Sequence, residues 1–594
     1  MTMLRNRTIV ALAFALIAIV GLSAGMMAFE DTRVVEAAMR NDLEAVRSLL
    51  RQAADANSSQ GDGMTALHWA AMNGNPEMAQ LLIYAGATVK STTRIGSYTP
   101  LYLAAQYGKA NVVDVLLKAG ADAKAPAIGG VTPLMMAASS GDADTVKALL
   151  EYGADVNAGE TANGQTAMVF AAAFDRAEAI RILARHGAKL DGKSNLIKRE
   201  LNELADRNGP PPPPKPPAAG ETPQQAGQRG QRGQQPAPPP AAGQPPVPQT
   251  GMGQRATLPR DPTRAGGNPK GQLTPLMYAA RQGNHSAVAA LLDIGARINE
   301  VSADGSTALL LAAINGRFDL TKYLVERGAD VTIASVDGTT PLYAVFNMQW
   351  ARKTLHPQPT TKYEKTHYLD LAKLMLDKGA DPNARLKKDL WYNGFGFALD
   401  NTNATGATPF WKCADVADID GMKLLISRGA DPKLNNIDNV TPLLVASGAG
   451  FHGNDDIVTP AGRMTAVRYL VDELHLDVNA VDGRAEKDQP AEPAPPLQAG
   501  QPVPAGQVPV VPVMNFGGRN QGGFSALHNA AARGDNEMIL FLVSRGARID
   551  LVSKNGNTVA DMANGPRQRV QPFAATIALL EALGSKNSYK CVSC

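Results

Sequence analysis

The chain has 594 residues, too many for a single hydrophobic core, and only 5% of them are aromatic. Its formal net charge of +3 at pH 7 is small for this length and gives no indication of a nucleic-acid partner. Its three cysteines exclude a disulfide-dense scaffold, and the length is best explained by an elongated array that grows by adding similar units.

The first 28 residues differ from the rest of the chain in charge and hydropathy. Arg5 and Arg7 precede an apolar run at residues 9–20, and small residues follow up to Ala28. This order is typical of a secretory signal peptide that is cleaved. Because residues 8–29 carry no charge and about 20 apolar residues span a bilayer, an uncleaved N-terminal anchor is the alternative. We favour cleavage and expect an extracytoplasmic chain, either periplasmic or secreted.

Residues 131–158 show the local pattern from which most of the chain is built. Thr132 is placed as an N-cap and Pro133 as the first helical residue, where the N–H that proline lacks is not needed. Two short helices with aliphatic faces follow, and Gly141 and Gly153 end them. Helices this short are marginal in water, so the unit must stack on copies of itself.

The cap residue recurs at intervals of 33 or 34 residues, with longer intervals where the pattern is interrupted. The cap positions are Thr65, Thr99, Thr132, Thr166, Thr274, Thr307, Thr340, Thr408, Thr441, Ser525 and Thr558. A fixed period of this length indicates a repeat architecture.

The repeated T-P-L-x-x-A-A and G-A-D-x-N sequences resemble the ankyrin repeat. Examples are TALHWAA at Thr65, TPLYLAA at Thr99, TPLMYAA at Thr274 and GADVNA at Gly153. The resemblance covers most of the chain outside its linkers. It implies an all-α ankyrin-repeat solenoid, in which helix–turn–helix units joined by β-turns stack on one another. With a half-match at residues 41–56, we predict about twelve units.

We predict two arrays joined by a disordered linker rich in proline, glycine and glutamine. The first array covers residues 31–207 with about five repeats, and a helix over residues 195–205 closes its end. The linker, residues 208–271, contains PPPPPKPP and has seven lysines and arginines against two acids. We favour a solvated spacer. Its RGQRG sequence would suit RNA, but the export signal argues against that, and a proline-rich ligand for a partner domain is the other alternative.

The second array covers residues 272–480 and has insertions. A second proline-rich linker covers residues 481–523, the last repeats cover residues 524–584, and a tail with a C-x-x-C covers residues 585–594. The 68-residue interval between Thr340 and Thr408 predicts two units, one of which lacks its T-P-L start. Each array exceeds the roughly three repeats that a stable stack needs, so we expect each to fold independently.

The residues that could carry chemistry are few. His68 and His528 occupy the fourth place of T-A-L-H and S-A-L-H, where the resemblance implies hydrogen bonds that tie a turn to its neighbour. Cys413 replaces a core alanine. We find no spacing typical of metal ligands, no P-loop, no dinucleotide-binding glycines and no G-x-S-x-G. We therefore predict a protein that is not an enzyme and has no metal site.

Cys591 and Cys594 form a C-x-x-C at the end of the given sequence. Attachment of c-type haem needs C-x-x-C-H, in which the histidine ligates the iron. A structural zinc site would need about two more ligands. We expect an exposed dithiol that oxidises outside the cytoplasm and no cofactor. Haem c, in a redox accessory protein, is the alternative if a histidine follows Cys594.

The resemblance implies a scaffold that binds another protein, of unknown identity, on its concave side. The expected contacts are the turn before each cap and the end of each first helix, which give Met72, Tyr98, Gln106, Tyr107, Val131 and Phe174. We expect the three aromatic side chains to line one groove, although packing against the adjacent turn is the alternative for each. We expect a monomer that binds no nucleic acid and contacts a membrane only through an uncleaved N-terminal segment.

The N-terminal pattern yields a testable prediction. The mature chain should begin between Ser23 and Asp31, because the cleavage region follows the apolar run. Mass spectrometry of the native N-terminus in fractionated cells measures this. A chain that retains Met1 in a soluble cytoplasmic fraction would contradict export.

Overall fold

The structure is a computed structural model that describes residues 31–197, 269–351, 359, 361–388, 390, 403–449, 457–483, 522–564 and 572–588. These residues belong to one compact unit. The predicted signal segment, the proline-rich parts of both predicted linkers, and Cys591 and Cys594 lie outside the described residues.

The described residues form twelve helix–turn–helix repeats, numbered 1–12 in chain order. The first helices are Arg33–Met39, Ala66–Asn73, Pro100–Gln106, Pro133–Ser140, Ala167–Ala173, Pro275–Gln282, Ala308–Ile314, Pro341–Gln349, Pro409–Asp415, Pro442–Ala446 and Ala526–Ala531, and repeat 12 has the 3-10 turn Asp561–Ala563 in this place. The predicted all-α stack is confirmed.

The second helix of each repeat packs against the first. These helices are Leu43–Arg51, Pro76–Tyr84, Ala110–Lys118, Ala143–Glu151, Ala177–Arg185, His285–Asp293, Phe318–Glu326, Tyr368–Asp377, Ile419–Ile426, Pro460–Arg468, Asn536–Ser544 and Ala574–Ala582. Further 3-10 turns occur at Ile128–Gly130 and Thr361–Tyr363, and a π-helical turn, Tyr469–Glu473, extends the second helix of repeat 10.

The local signals act as the sequence predicts. The Thr99 hydroxyl accepts the amide of Tyr102 at 3.1 Å, and the hydroxyls of Thr132, Thr274, Thr307, Thr340, Thr408 and Thr441 cap their helices in the same way. Gly153 follows the second helix of repeat 4 with φ of 80°, a backbone conformation that a side chain disfavours.

Hydrogen bonds from asparagine side chains hold neighbouring repeats in register. Asn157 donates to the Gly187 carbonyl at 3.1 Å and accepts the Lys189 amide at 2.9 Å. Asn479 makes the same pair of bonds to Gly546 and Arg548, at 3.1 and 2.8 Å. Because residues 484–521 lie between those partners in sequence, repeat 11 stacks directly on repeat 10 and does not form a separate domain.

The same continuity holds across the first proline-rich stretch. Asn284 in repeat 6 donates to the carbonyls of Ala172 and Ala173 in repeat 5, at 2.9 and 2.8 Å. The Ala287 amide donates to Asp175 at 2.7 Å, and Gln165 donates to the Tyr278 hydroxyl at 2.9 Å. Repeats 5 and 6 are therefore consecutive members of one stack, although residues 198–268 lie between them in sequence.

Two details differ from the sequence prediction. Leu196–Ile197 (β1) pairs antiparallel with Lys270–Gly271 (β2), so the residues predicted to begin a closing helix form one side of a hairpin. The helix Tyr368–Asp377 packs on Pro341–Gln349, which in turn packs on Pro409–Asp415. The 68-residue interval thus contains one repeat with insertions between its helices and in its hairpin, and the prediction of two units is wrong.

The seam between repeats 5 and 6 gives a prediction. Protease cleavage within residues 198–268 should leave two pieces that stay associated, because apolar faces and the Asn284 bonds still join them. Size-exclusion chromatography of the nicked chain measures this. In the Asn284→Ala variant, which lacks these hydrogen bonds, the two pieces should dissociate at a lower urea concentration. Two folded fragments that elute apart without denaturant would support independent arrays instead.

Candidate interaction surface on the hairpin side

The turns between repeats are β-hairpins whose tips are joined in a row. The Arg94 amide donates to the Asp62 carbonyl at 2.8 Å, Ile128 to Gly96 at 3.0 Å, and Thr161 to Gly129 at 2.8 Å. The row continues with the bonds Asn195–Asn163, Ala303–Gly271, Val336–Asp304, Lys387–Asp337, Ile437–Thr405, Gly483–Asp438 and Lys554–Gly522. Each tip is thereby placed next to that of the preceding repeat.

Beside the first tips of this row lies an apolar cluster that is separate from the main core. Its buried members are Met64, Tyr102, Leu103 and Ala127. Its partly buried members are Trp69, Met72, Tyr98, Val131 and Met136, and we call these five the Tyr98 surface. They come from the hairpins and first helices of repeats 2, 3 and 4, so three consecutive repeats build one apolar face.

Aromatic packing orders the centre of this surface. The rings of Tyr98 and Tyr102 are stacked, with centroids 4.8 Å apart and planes 21° from parallel. Gly96 has φ of +86°, and a Cβ there would lie 2.3 Å from the Tyr98 ring. The ring therefore lies against the hairpin backbone. Burial raises the pKa of the Tyr102 phenol to about 12, so this hydroxyl stays neutral.

Equivalent positions in three successive repeats contribute side chains to this cluster. Trp69, Leu103 and Met136 each lie four residues after a cap threonine, so each points to the same side from its own first helix. The Trp69 indole N–H donates to Gln60 at 3.2 Å, which fixes the ring against the preceding hairpin. The repeat pattern alone identifies this position, but Trp69 and Met136 were not among the residues predicted from sequence to bind a partner.

The structure divides the six residues predicted to bind a partner into two groups. Met72, Tyr98 and Val131 lie together in the Tyr98 surface. Gln106, Tyr107 and Phe174 are exposed, with Tyr107 at 48% and Phe174 at 55%. The last three lie at the ends of first helices, and a seven-residue helix separates Tyr98 from Tyr107 by about 10 Å. The Tyr98 surface therefore contains Tyr98 but neither Tyr107 nor Phe174.

Comparison with known proteins identifies the family of the repeated unit. Residues 34–127, 123–194 and 261–345 match the family described as ankyrin repeats (3 copies), and residues 522–554 match the single ankyrin repeat. The chain contains ankyrin repeats. It is also 32% identical over 91 residues to palmitoyltransferase Hip14 of Drosophila melanogaster, a match that covers 15% of this chain and 14% of that protein.

The two ankyrin T/S-A-L-H histidines are buried and bonded as expected. The Thr65 amide donates to His68 Nδ1 at 3.1 Å, and His68 Nε2 lies 3.0 Å from the Tyr98 carbonyl. An amide can only donate, so Nδ1 accepts and the proton is on Nε2, which donates to Tyr98. His528 repeats this arrangement with Ser525 and Asn557. His68 thus positions the backbone of the residue at the centre of the Tyr98 surface.

A second polar cluster lies where repeats 8 and 9 meet. The Asp418 carboxylate accepts the Trp350 indole N–H and the Tyr368 hydroxyl, both at 3.0 Å, and the Gly421 amide at 2.9 Å. Burial raises the pKa of Asp418 and that of the neighbouring Cys413 thiol. Trp350 and Tyr368 flank the insertion in repeat 8, so Asp418 ties both helices of that repeat to repeat 9, and every oxygen of the carboxylate is used structurally.

Within the part of the chain that the structure describes, no group of three or more His, Cys, Asp or Glu side chains could hold a metal ion. The helices described there are also too short or too polar to cross a membrane. Cys591 and Cys594 lie outside these residues, as does the N-terminal segment.

His68 gives a prediction on pH. Burial lowers its pKa in the folded chain, whereas the unfolded value is about 6.5, so the unfolded state binds more protons at low pH. Its contribution to stability is complete above pH 6.5 and is lost as the pH falls below it.

His68→Met is a matched variant because Met135 and Met277 fill this place in other repeats. Urea unfolding of both proteins between pH 7.5 and 5 should show a smaller loss for the variant, by up to about 1.4 kcal/mol per pH unit. An equal loss of unfolding free energy in both proteins would contradict a lowered pKa of His68 in the folded chain.

Proposed function

We propose that this chain is an exported ankyrin-repeat scaffold that binds another protein and carries out no catalysis. The observation that supports this most directly is the Tyr98 surface, an apolar and aromatic face whose five side chains are only partly buried. Aromatic side chains surrounded by partly polar turns are what binding surfaces use as anchors.

The neighbouring hairpin tips extend this face. Ile95 is 78% exposed and Ile128 is 68% exposed, and the hydrogen bond from Ile128 to Gly96 holds the two tips side by side. Large aliphatic side chains this exposed contribute nothing to the core. They are suited to contact a partner that lies along the tips and reaches down to Tyr98.

Export is the second part of the proposal and rests on the sequence of the first 28 residues. The basic residues Arg5 and Arg7 ahead of an uncharged apolar run favour a secretory signal, with an uncleaved anchor as the alternative. The partner would accordingly be an extracytoplasmic protein, and the scaffold a monomer.

A set of alanine variants tests the binding face. Leu149→Ala empties a fully buried core position and should lower the free energy of unfolding by about 2–5 kcal/mol. Tyr107→Ala, at an exposed position, should change it by less than about 0.5 kcal/mol. Trp69→Ala and Tyr98→Ala should fall between these limits, because their rings are partly buried.

Binding should follow a different order from stability. Proteins that the immobilised chain retains from the extracytoplasmic fraction should be lost with Trp69→Ala and Tyr98→Ala. They should be kept with Tyr84→Ala, whose side chain is 93% exposed on a second helix. Retention that is equal for all three variants, each confirmed as folded by its melt, would rule out this face.

A further inference from the structure

One face of the first helices in repeats 2–5 carries no charged side chain. The residues four, seven and eight places after a cap are neighbours on this face, because side chains three or four residues apart lie together on a helix. Three such positions in four repeats give twelve residues, from Trp69 in repeat 2 to Phe174 in repeat 5, and all twelve are uncharged. We call these twelve residues the uncharged strip. Trp69, Met72 and Met136 belong both to the strip and to the Tyr98 surface, so the two are continuous.

Charged residues mark both ends of the strip. The same helix positions hold Glu36 in repeat 1 and Arg281 in repeat 6. On the hairpin side, the Glu160 carboxylate is buried and bonded to amides of its own hairpin, whereas Asp62 and Arg94 are exposed at tips. A charged ligand side chain against the middle of the strip would lose water without meeting a charged group of the strip, which is costly. A segment that lies here should therefore be uncharged over the length of four repeats.

The strip repeats at an interval that suits one backbone conformation. The first helices of repeats 2–5 pack on one another in succession, and packed helices lie about 8–10 Å apart. A polyproline II segment has three residues per turn and rises about 3.1 Å per residue, so every third residue returns to the same face after about 9.3 Å. Seven residues of an α-helix rise about 10.5 Å, and a strand returns to one face after about 7 Å. Of these three conformations, polyproline II alone stays in register with successive repeats.

Proline also suits the side chains that it would meet. Trp69 and Tyr98 are only partly buried, and the Tyr98 ring is stacked on that of Tyr102. Grooves lined by aromatic side chains bind proline-rich segments, because such segments are held near their bound conformation beforehand and lose little entropy on docking. A proline has no backbone N–H that an apolar face would leave unsatisfied. Met72 and Met136, whose side chains are flexible, can fill the gaps between successive rings.

We propose that the partner protein contributes to this strip an uncharged, proline-rich segment in the polyproline II conformation. The inference rests on the proposed function, because it describes the partner of the same binding face. One turn per repeat over four repeats gives a segment of about twelve residues. Residues of the partner that carry charge lie beyond the two ends of this segment, towards Glu36 and Arg281.

A labelled synthetic peptide tests this chemistry directly. A peptide of about twelve prolines should bind the full chain, measured by fluorescence anisotropy, at least about tenfold more tightly than a glycine–serine peptide or a helical alanine–glutamine peptide of equal length. Trp69→Ala and Tyr98→Ala should each weaken binding by about tenfold or more. Tyr84→Ala is the matched control, because its side chain is 93% exposed on a second helix, and it should leave binding unchanged. Thermal melts confirm that each variant is folded.

Charges placed within the peptide test the length of the uncharged strip. Aspartates that replace the two central prolines should weaken binding by about tenfold or more, because the strip offers them no cation. Aspartates at the two ends should have little effect, because those residues lie next to water and to the charged repeats. Equal affinity for the two aspartate peptides would contradict an uncharged segment.

Three results would overturn the proposal: no binding of the oligoproline peptide, equal affinity for the control peptides, or unchanged affinity in both Trp69→Ala and Tyr98→Ala. The outcome is also distinguishable from failure of the proposed function. If the peptide fails to bind while extracytoplasmic proteins are still lost with Tyr98→Ala, the face binds a partner and only the conformation assigned to that partner is wrong.

Discussion

The structure depends on how closely its short first helices approach one another. In repeats 1–7 and 11 they have a pair of alanines at the contact, such as Ala104 and Ala105 in repeat 3 or Ala171 and Ala172 in repeat 5, and these are completely buried. Helices of five to nine residues are marginal alone, so their stability comes from this contact and from the larger aliphatic side chains around it. Asn157 and its counterparts then set the register, because their side chains satisfy backbone groups of the next repeat.

Insertions are confined to places where this contact is not disturbed. The two proline-rich stretches interrupt hairpin tips, and the bonds on both sides of each interruption are those of an ordinary tip. In repeat 8 the insertion lies between Trp350 and Tyr368, and both of these side chains donate hydrogen bonds to the buried Asp418 of repeat 9. The stack can therefore carry irregular sequence because the irregularity begins and ends at fixed bonded points.

Much of the fold could be predicted from sequence because its signals are local. The cap at Thr99, the glycine at Gly153 and the histidine at His68 act within one repeat or between neighbours, and all three are formed as expected. The continuity of repeats 5 and 6 could not be predicted, since it depends on pairings such as Asn284 with Ala172 that lie 112 residues apart. The spacing between Thr340 and Thr408 led to the wrong prediction of two units, because the length of an interval does not show which segments pack together.

The sequence predicted only some of the residues that form the Tyr98 surface, for a geometric reason. Tyr98 and Tyr107 belong to one repeat and are both aromatic, yet a helix separates them, and only Tyr98 joins residues of the adjacent repeats. A binding face in a stacked protein is built across repeats, from equivalent positions. Trp69, Leu103 and Met136 share such a position, whereas the prediction combined residues from both ends of the first helix.

The hairpin at β1 and β2 also has a consequence for the variability of the chain. Its two strands close the inserted loop, and the entropy of closing a loop rises only by about 0.6 kcal/mol for each doubling of its length. Sequence can therefore be gained or lost between Ile197 and Lys270 with little effect on the stack. This hairpin is a position at which a whole foreign domain could be grafted while the repeats on either side stay joined.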